Sequence, residues 1–174
     1  TGKESDPTTE EQTTVDPPPA APTGITANAT DGKVTLTWPP SSEADVNEYN
    51  VYRDTTSFTQ ISDADRVAGG LFDTTYTDFD IGIGRIHYRV TAVDNAGQES
   101  PLSAEVVGDP PPYPPSRPDV TVDSTQAAVL TWASNVETDL GGYNVYRSTE
   151  SFSQVADSLK VNTTLVQDTS RYRD

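Results

Sequence analysis

The sequence predicts an all-β protein built from two tandem sandwich domains, the second of them incomplete. Three observations predict it: short apolar segments alternate with period 2, Pro-rich segments interrupt the chain, and one block of residues occurs twice. Only 33% of the 174 residues are hydrophobic, which suits small domains joined by polar linkers. No segment shows the 3.6-residue apolar period of a convincing amphipathic helix.

The first copy opens on a strand with a clear inner face. Residues 33–38 alternate in polarity and place Val34, Leu36 and Trp38 on one side. Two prolines follow and end the strand, because proline cannot donate to a β-ladder. The same side of this strand is therefore expected to line the core.

Further strands are predicted at residues 49–53, 86–93 and 102–107. In the second of these, Tyr88 and Val90 lie on one face with the alternation of a half-buried strand. An Asp-Asn-Ala-Gly sequence separates the last two segments and supplies turn residues. The pattern indicates antiparallel strands joined by short turns.

One block of residues repeats at a constant offset of 94 positions. A fixed offset over this length indicates two copies of one domain. The core positions that recur are Trp38 as Trp132, Tyr49 as Tyr143, and Val51 as Val145. Beyond the block, Tyr76 and Asp78 match Tyr172 and Asp174 with a two-residue insertion.

Composition divides the chain into four segments. Six prolines within residues 108–118 favour polyproline II, a stiff spacer of about 3.1 Å per residue, and an extended rod. The predicted segments are an acidic Thr/Pro-rich stalk at 1–22, disordered or extended, a first sandwich at 23–108, a linker at 109–118 and a partial second sandwich at 119–174.

Together, Leu36-Thr37-Trp38 and the segments 45–53 and 88–94 resemble the fibronectin type III family, particularly the modules of bacterial and archaeal extracellular proteins. The resemblance implies a seven-stranded immunoglobulin-like sandwich without disulfides, and the chain has no cysteine. It also implies that Tyr88 is the tyrosine-corner residue, whose hydroxyl bonds back to the backbone. The expected core and fold residues are Trp38, Tyr49, Val51, Tyr88, Val90, Trp132, Tyr143 and Val145.

The second copy departs from the family pattern. It reaches only Asp174, so nothing in it corresponds to residues 79–108 and its last two strands are missing. Two explanations stay open: the natural chain continues, or another chain supplies the missing strands by β-augmentation. The expected partners are accordingly further domains of the same chain or other protein subunits, with glycans as a further candidate.

Charge and composition exclude several functions. A net charge of −16 disfavours nucleic acid and anionic membrane surfaces, because both bind Lys and Arg clusters. No apolar segment approaches the roughly 18 residues of a membrane span, so direct membrane insertion is not expected. The acidity fits an extracellular protein whose molecules repel one another by charge and so stay soluble. It also fits adaptation to high salt, which screens that repulsion.

Residues with chemical potential are few, and we expect no enzyme, cofactor or metal. His87 is expected to point to solvent, where a lone imidazole lacks a nucleophile and an orienting partner. The acidic pairs at 63–65 and 78–80 could offer oxygen ligands to Ca²⁺, but they fit no calcium loop. They are interpreted as solvated turns.

The remaining candidates are aromatic residues and two glycosylation sequons. Trp38 and Trp132 are expected in the core rather than as sugar platforms, and Phe58 and Phe152 beneath the loops that follow them. Tyr52 and Tyr146 are the better candidates for exposed contact. Possible N-glycosylation sites are Asn28 and Asn162, expected on surface loops.

These features favour reach and spacing over catalysis. The expected function is a non-catalytic structural or adhesive part of a microbial surface or filament protein, located outside the cell or on its surface. The alternative is an accessory fibronectin type III region of a secreted polysaccharide-degrading enzyme. The fold does not choose between them, since sandwiches of this kind serve many functions.

Overall fold

The computed structural model describes residues 2, 16–30, 32–137, 139–167 and 171–174. Most of the predicted stalk lies outside these residues. The described part contains ten strands and two 3-10 helices, Ile61–Asp63 and Asp157–Leu159, and no α-helix, so the all-β prediction is confirmed. No helix in this part is long and apolar enough to cross a membrane.

The first copy is a sandwich of two antiparallel sheets. One sheet has the order β1-β2-β5 and the other β4-β3-β6-β7, and this three-plus-four arrangement is immunoglobulin-like. The strands are β1 (Thr26–Thr30), β2 (Lys33–Thr37), β3 (Val46–Asp54), β4 (Asp65–Leu71), β5 (Thr75–Asp78), β6 (Ile86–Asp94) and β7 (Val106–Gly108).

Alternating residues of the two sheets fill the space between them. Val34 and Leu36 of β2 are fully buried and belong to the same core as Val51, Tyr88 and Val90 of the opposite sheet. This is the packing expected when each strand presents every second side chain to the interior.

The core tryptophan lies just beyond β2. Trp38 is 4% exposed and meets the ring of Tyr49 edge-on, with ring centroids 5.5 Å apart. Edge-to-face pairs add stability beyond the area that they bury. The Trp38 backbone N–H still bonds to the Thr74 carbonyl at 3.0 Å, so the strand direction continues to the residue before the prolines.

The last strand is shorter than the predicted 102–107. β7 spans only Val106–Gly108, because serine side chains replace the regular ladder beside β6. The hydroxyl of Ser103 accepts the N–H of Val90, and the hydroxyl of Ser100 accepts the N–H of Ala92, both at 2.9 Å. Proline between the serines cannot donate, which also prevents a continuous strand.

Gly108 ends β7 where no side chain fits. A Cβ there would lie 2.6 Å from Val34 Cγ2 and 3.3 Å from Tyr88 Cε2. Gly108→Ala should therefore lower the free energy of unfolding by about 1–3 kcal/mol, as other overpacked core sites do, measured by urea unfolding. In Gly141→Ala the new Cβ meets Leu165 Cδ1 at 3.6 Å, so this control should change little.

The second copy repeats the first sheet and part of the other. Its strands β8 (Ser116–Val122), β9 (Ala128–Ala133) and β10 (Arg171–Arg173) form one sheet in the order β10-β9-β8. β8 begins inside the predicted linker. The opposite layer is represented by two isolated bridges, Tyr143 to Val166 and Tyr146 to Lys160.

The core of the second copy is correspondingly small. Trp132, Tyr143 and Val145 form its buried cluster, and the two aromatic rings meet edge-on at 5.0 Å. Every residue of β8 is exposed, including Val120 at 60% and Val122 at 65%. In the first copy the equivalent strand β1 lies against β7, and the second copy has no described counterpart of that strand.

Candidate functional surfaces

Asp78 is the centre of a buried polar cluster at the end of β5. Its Oδ2 accepts hydrogen bonds from the Tyr88 hydroxyl at 2.9 Å and from Arg53 Nη1 at 2.8 Å. Burial and the bond to Asp78 raise the pKa of Tyr88 well above its usual range. The expected backbone bond of Tyr88 is therefore wrong: the hydroxyl binds a carboxylate. The expected solvated turn is also wrong for Asp78, which is 3% exposed.

The described residues of the second copy repeat the ion pair and include no tyrosine bonded to it. Arg147 bonds to Asp174, and these residues match Arg53 and Asp78 in the repeat. Arg147 keeps 67% of its side-chain surface exposed, against 21% for Arg53. An exposed pair of this kind contributes little to stability, so among the described residues the buried form of this cluster occurs in the first copy.

A second polar cluster covers the outer face of the four-stranded sheet. Glu99 Oε1 accepts hydrogen bonds from Asn50 Nδ2 at 2.9 Å, the Tyr52 hydroxyl at 2.7 Å and Thr91 Oγ1 at 2.5 Å. Tyr52 is 3% exposed, so the expectation of an exposed contact residue is wrong. Burial and the neighbouring Glu99 raise the pKa of Tyr52 to about 12.

The Glu99 cluster predicts a pH dependence of stability. Burial opposes ionisation of Glu99, but hydrogen bonds from Thr91, Asn50 and Tyr52 outweigh it and hold the pKa below its usual value. A carboxyl with a lowered folded-state pKa stabilises the fold above its unfolded pKa of about 4.3, and this contribution disappears as the pH falls through the folded value.

We therefore expect Glu99→Gln to lose stability at neutral pH and to show a weaker decline than the parent below about pH 4. Urea unfolding at a series of pH values measures both. Glu48→Gln on the same outer face is the matched control. Equal acid slopes for parent and Glu99→Gln would contradict the assignment.

His87 has a partner, in contrast to the expected solvent-facing side chain. Its Nδ1 lies 2.9 Å from Glu105 Oε1, and its side chain is 19% exposed. The hydroxyl of Ser57 donates to the other oxygen of Glu105 at 2.8 Å. Because the serine proton is directed at the carboxylate and not at the imidazole, this trio does not activate a nucleophile. It ties β6 to the loop before β7 instead.

The acidic pairs do not assemble a metal site among the described residues. No group of three or more His, Cys, Asp or Glu side chains there is arranged to hold an ion. Asp63, Asp65 and Asp80 are exposed, while Asp78 is committed to Arg53. The acidic residues at 63–65 and at 80 are therefore solvated charges, and Asp78 is an ion-pair partner.

The predicted capping aromatics differ between the copies. Phe58 is 3% exposed and lies under the Arg89 guanidinium, which is 5.7 Å from the ring centroid. Phe152 is 44% exposed. Arg89 belongs to β6, and no described residue of the second copy takes its place. Tyr146 is half-buried, and no described residue of the second copy takes the place of Glu99 beside it.

The two sequons lie in different settings from the expected surface loops. Asn28 is exposed but sits within β1. Asn162 is 8% exposed, and its Nδ2 donates to the carbonyls of Tyr143 at 3.0 Å and Thr164 at 2.7 Å. Glycosylation at either residue stays a prediction, and the engaged amide of Asn162 argues against a glycan on the folded chain.

Sequence reasoning missed the residues that close these clusters. Asn50, Thr91 and Glu99 looked like ordinary strand and turn residues, and nothing in the local pattern marks them. One further signal is present in the sequence: an Asp-Pro-Pro-Pro sequence begins at Asp16 and again at Asp109. Each copy is therefore preceded by a similar Pro-rich segment.

Comparison with known proteins finds local likeness to large enzymes. No protein-family model matches the chain. Residues of the chain are 39% identical over 85 residues to an amylopullulanase of Thermoanaerobacter thermohydrosulfuricus, covering 48% of the chain and 5% of the relative. An amylopullulanase of Thermoanaerobacterium saccharolyticum is 33% identical over 93 residues, covering 53% and 7%. The chain thus spans under a tenth of the length of these relatives.

Solved structures with partial similarity come from varied proteins. A β-1,2-glucanase from Parabacteroides distasonis is 32% identical, covering 55% of this chain and 13% of that one, with a TM-score of 0.45. The FN1-FN3 domains of chicken CNTN1 are 19% identical, covering 90% and 57%, with a TM-score of 0.42. The assignment to an immunoglobulin-like fold rests on the sheet order itself.

Proposed function

We propose that this chain is a non-catalytic accessory region of a secreted polysaccharide-degrading enzyme, in which fibronectin type III-like sandwiches space other domains. The observation that carries the proposal is the local likeness to two amylopullulanases, in each of which the matched part is under a tenth of the relative. A short repeated sandwich within a long enzyme is suited to connecting functional domains.

The chemistry of the described residues supports a spacing function. The polar clusters around Asp78 and Glu99 are internally satisfied, and their carboxylates are hydrogen-bonded to the sandwich that contains them. Hydrolysis of a glycosidic bond by the usual route needs two carboxyl groups flanking the bond in a cleft. Neither cluster provides such a pair.

Hydrolysis assays on the purified chain and on an enzyme fusion test this proposal. The purified chain should release no reducing sugar from pullulan or starch, and a fusion to an active pullulan hydrolase should leave the turnover number on soluble pullulan unchanged. Hydrolysis by the purified chain that disappears in a single-carboxylate variant would contradict the proposal. The same fusion without the linker at 109–118 is the control for the effect of domain spacing.

A structural protein of a microbial surface is the second candidate. The repeated Pro-rich segments favour it, because a chain of sandwiches joined by stiff segments would build an extended fibre. Intact mass and electron microscopy of the native particle separate the two. Ordered polymers would favour the fibre, and a single long polypeptide with a glycosidase domain would favour the accessory region.

A further inference from the structure

Both copies begin with a Pro-rich segment of nearly the same sequence. Segment 16–22 reads Asp-Pro-Pro-Pro-Ala-Ala-Pro, and segment 109–115 reads Asp-Pro-Pro-Pro-Tyr-Pro-Pro. Proline lacks a backbone N–H, so three consecutive prolines offer no backbone hydrogen-bond donor. The residue after each triplet is the first that can donate. These residues are Ala20 and Tyr113.

In the first copy this donor is bound by a glutamate. The Ala20 N–H donates to Glu43 Oε1 at 3.1 Å, and Pro19 beside it is buried. Glu43 lies in the loop between β2 and β3. The loop is anchored in turn to the core, because the Ser41 N–H donates to the Tyr49 hydroxyl at 2.8 Å.

The second copy repeats this arrangement with the equivalent residues. The Tyr113 N–H donates to Glu137 Oε1 at 2.9 Å, and Asn135 Nδ2 donates to the Tyr113 carbonyl at 2.6 Å. The Asn135 N–H donates to the Tyr143 hydroxyl at 2.8 Å. Glu137, Asn135 and Tyr143 stand 94 positions after Glu43, Ser41 and Tyr49, respectively.

Arg85 adds a contact between the two copies. Its Nε lies 3.2 Å from Asp109 Oδ2 in the linker and 3.8 Å from Asp139 Oδ2 in the second copy. Gly84 beside it approaches the same carboxylate: a Cβ there would lie 3.8 Å from Asp139 Oδ1. One guanidinium thus contacts the linker and the second sandwich from a loop of the first.

We propose that the loop before the core tyrosine in each copy is a docking surface for Asp-Pro-Pro-Pro segments, with Glu43 and Glu137 as its receptor groups. The partner that fits is a polyproline II segment followed by one residue with a free N–H. Docking fixes the direction in which each segment leaves its sandwich, so the junction is a rigid connection. The inference holds whichever of the two proposed functions applies.

Distance measurements between spin labels test the proposal on the full chain. The chain has no cysteine, so introduced cysteines are labelled specifically. Val15→Cys, which leaves the Asp-Pro-Pro-Pro segment intact, reports docking in the first copy when paired with Ser62→Cys, and Ser62→Cys with Ser153→Cys reports the junction. We expect narrow distance distributions in both, broadened roughly twofold by Glu43→Ala in the first pair and by Glu137→Ala in the second, as a released linker samples more directions.

Matched variants keep the test specific to the docking contact. Glu43→Gln and Glu137→Gln retain an acceptor oxygen and should keep the distributions narrow, and Glu150→Ala removes an exposed carboxylate elsewhere and should do the same. The proposal is overturned if the distance distribution of the first pair is as narrow in Glu43→Ala as in Glu150→Ala. It is also overturned if the distribution of that pair is broad in the parent. The same outcomes in the second pair overturn the assignment of Glu137.

Discussion

Trp38→Ala is expected to lower the free energy of unfolding of the first sandwich by about 3–5 kcal/mol, the usual range for large aromatic core truncations. The side chain is 4% exposed and packs edge-on against Tyr49, so its removal leaves a cavity and an unpaired ring. Free energies of unfolding of about 5–15 kcal/mol are typical, so this loss would be a large fraction of the stability of the sandwich.

Urea unfolding followed by NMR amide signals of β6 measures this loss in the full chain. Phe72→Ala is the matched control, because Phe72 is 73% exposed and a surface truncation should change stability by less than about 0.5 kcal/mol. Similar losses of unfolding free energy in Trp38→Ala and Phe72→Ala would show that Trp38 does not stabilise the core more than a surface side chain does. A Trp38→Ala midpoint equal to that of the parent would show the same.

Asp78→Ala is expected to cost about 3–5 kcal/mol, as when one partner of a buried ion pair is removed. The change removes the carboxylate from the Arg53 guanidinium, which is 21% exposed and keeps the Asp80 carbonyl as a partner, and from the hydroxyl of the fully buried Tyr88. Both groups lose the acceptor that replaces water for them. Asp80→Ala, two residues away and 97% exposed, should cost almost nothing.

A double variant separates the two contributions. Tyr88→Phe removes the stranded hydroxyl, so Asp78→Ala with Tyr88→Phe should be less destabilised than the sum of the single variants. Urea unfolding of the four proteins gives the coupling free energy. Strict additivity would mean that the 2.9 Å contact contributes nothing to folding.

Much of the fold follows from local patterns in the sequence. The alternation at Val34, Leu36 and Trp38 identifies the inner face of β2, since a strand against a core must bury every second residue. The constant offset between Trp38 and Trp132 predicts the duplication. Both signals can be read from the sequence alone, because neither depends on which distant residues meet in the folded chain.

The clusters depend on residues that are far apart in sequence. Tyr52 has the outward position of its strand, and its hydroxyl bonds there to Glu99, which lies 47 positions away in the sequence. The resemblance to fibronectin type III modules implies a backbone partner for the Tyr88 hydroxyl, and the local pattern does not show that Asp78 lies beside it instead. The strand predicted at 102–107 is reduced to Val106–Gly108, because serine hydroxyls replace ladder acceptors before it and the alternation of polarity does not show this.

Each sandwich contains its own fluorescent probe, a tryptophan whose ring contacts a tyrosine. The only two tryptophans lie one in each sandwich, each with a tyrosine ring 5.5 or 5.0 Å away. Trp38→Phe would leave Trp132 as the sole indole, and Trp132→Phe would leave Trp38. Fluorescence of the two proteins during denaturation would then show whether the sandwiches melt together or in sequence, and hence how strongly the docked linker couples them.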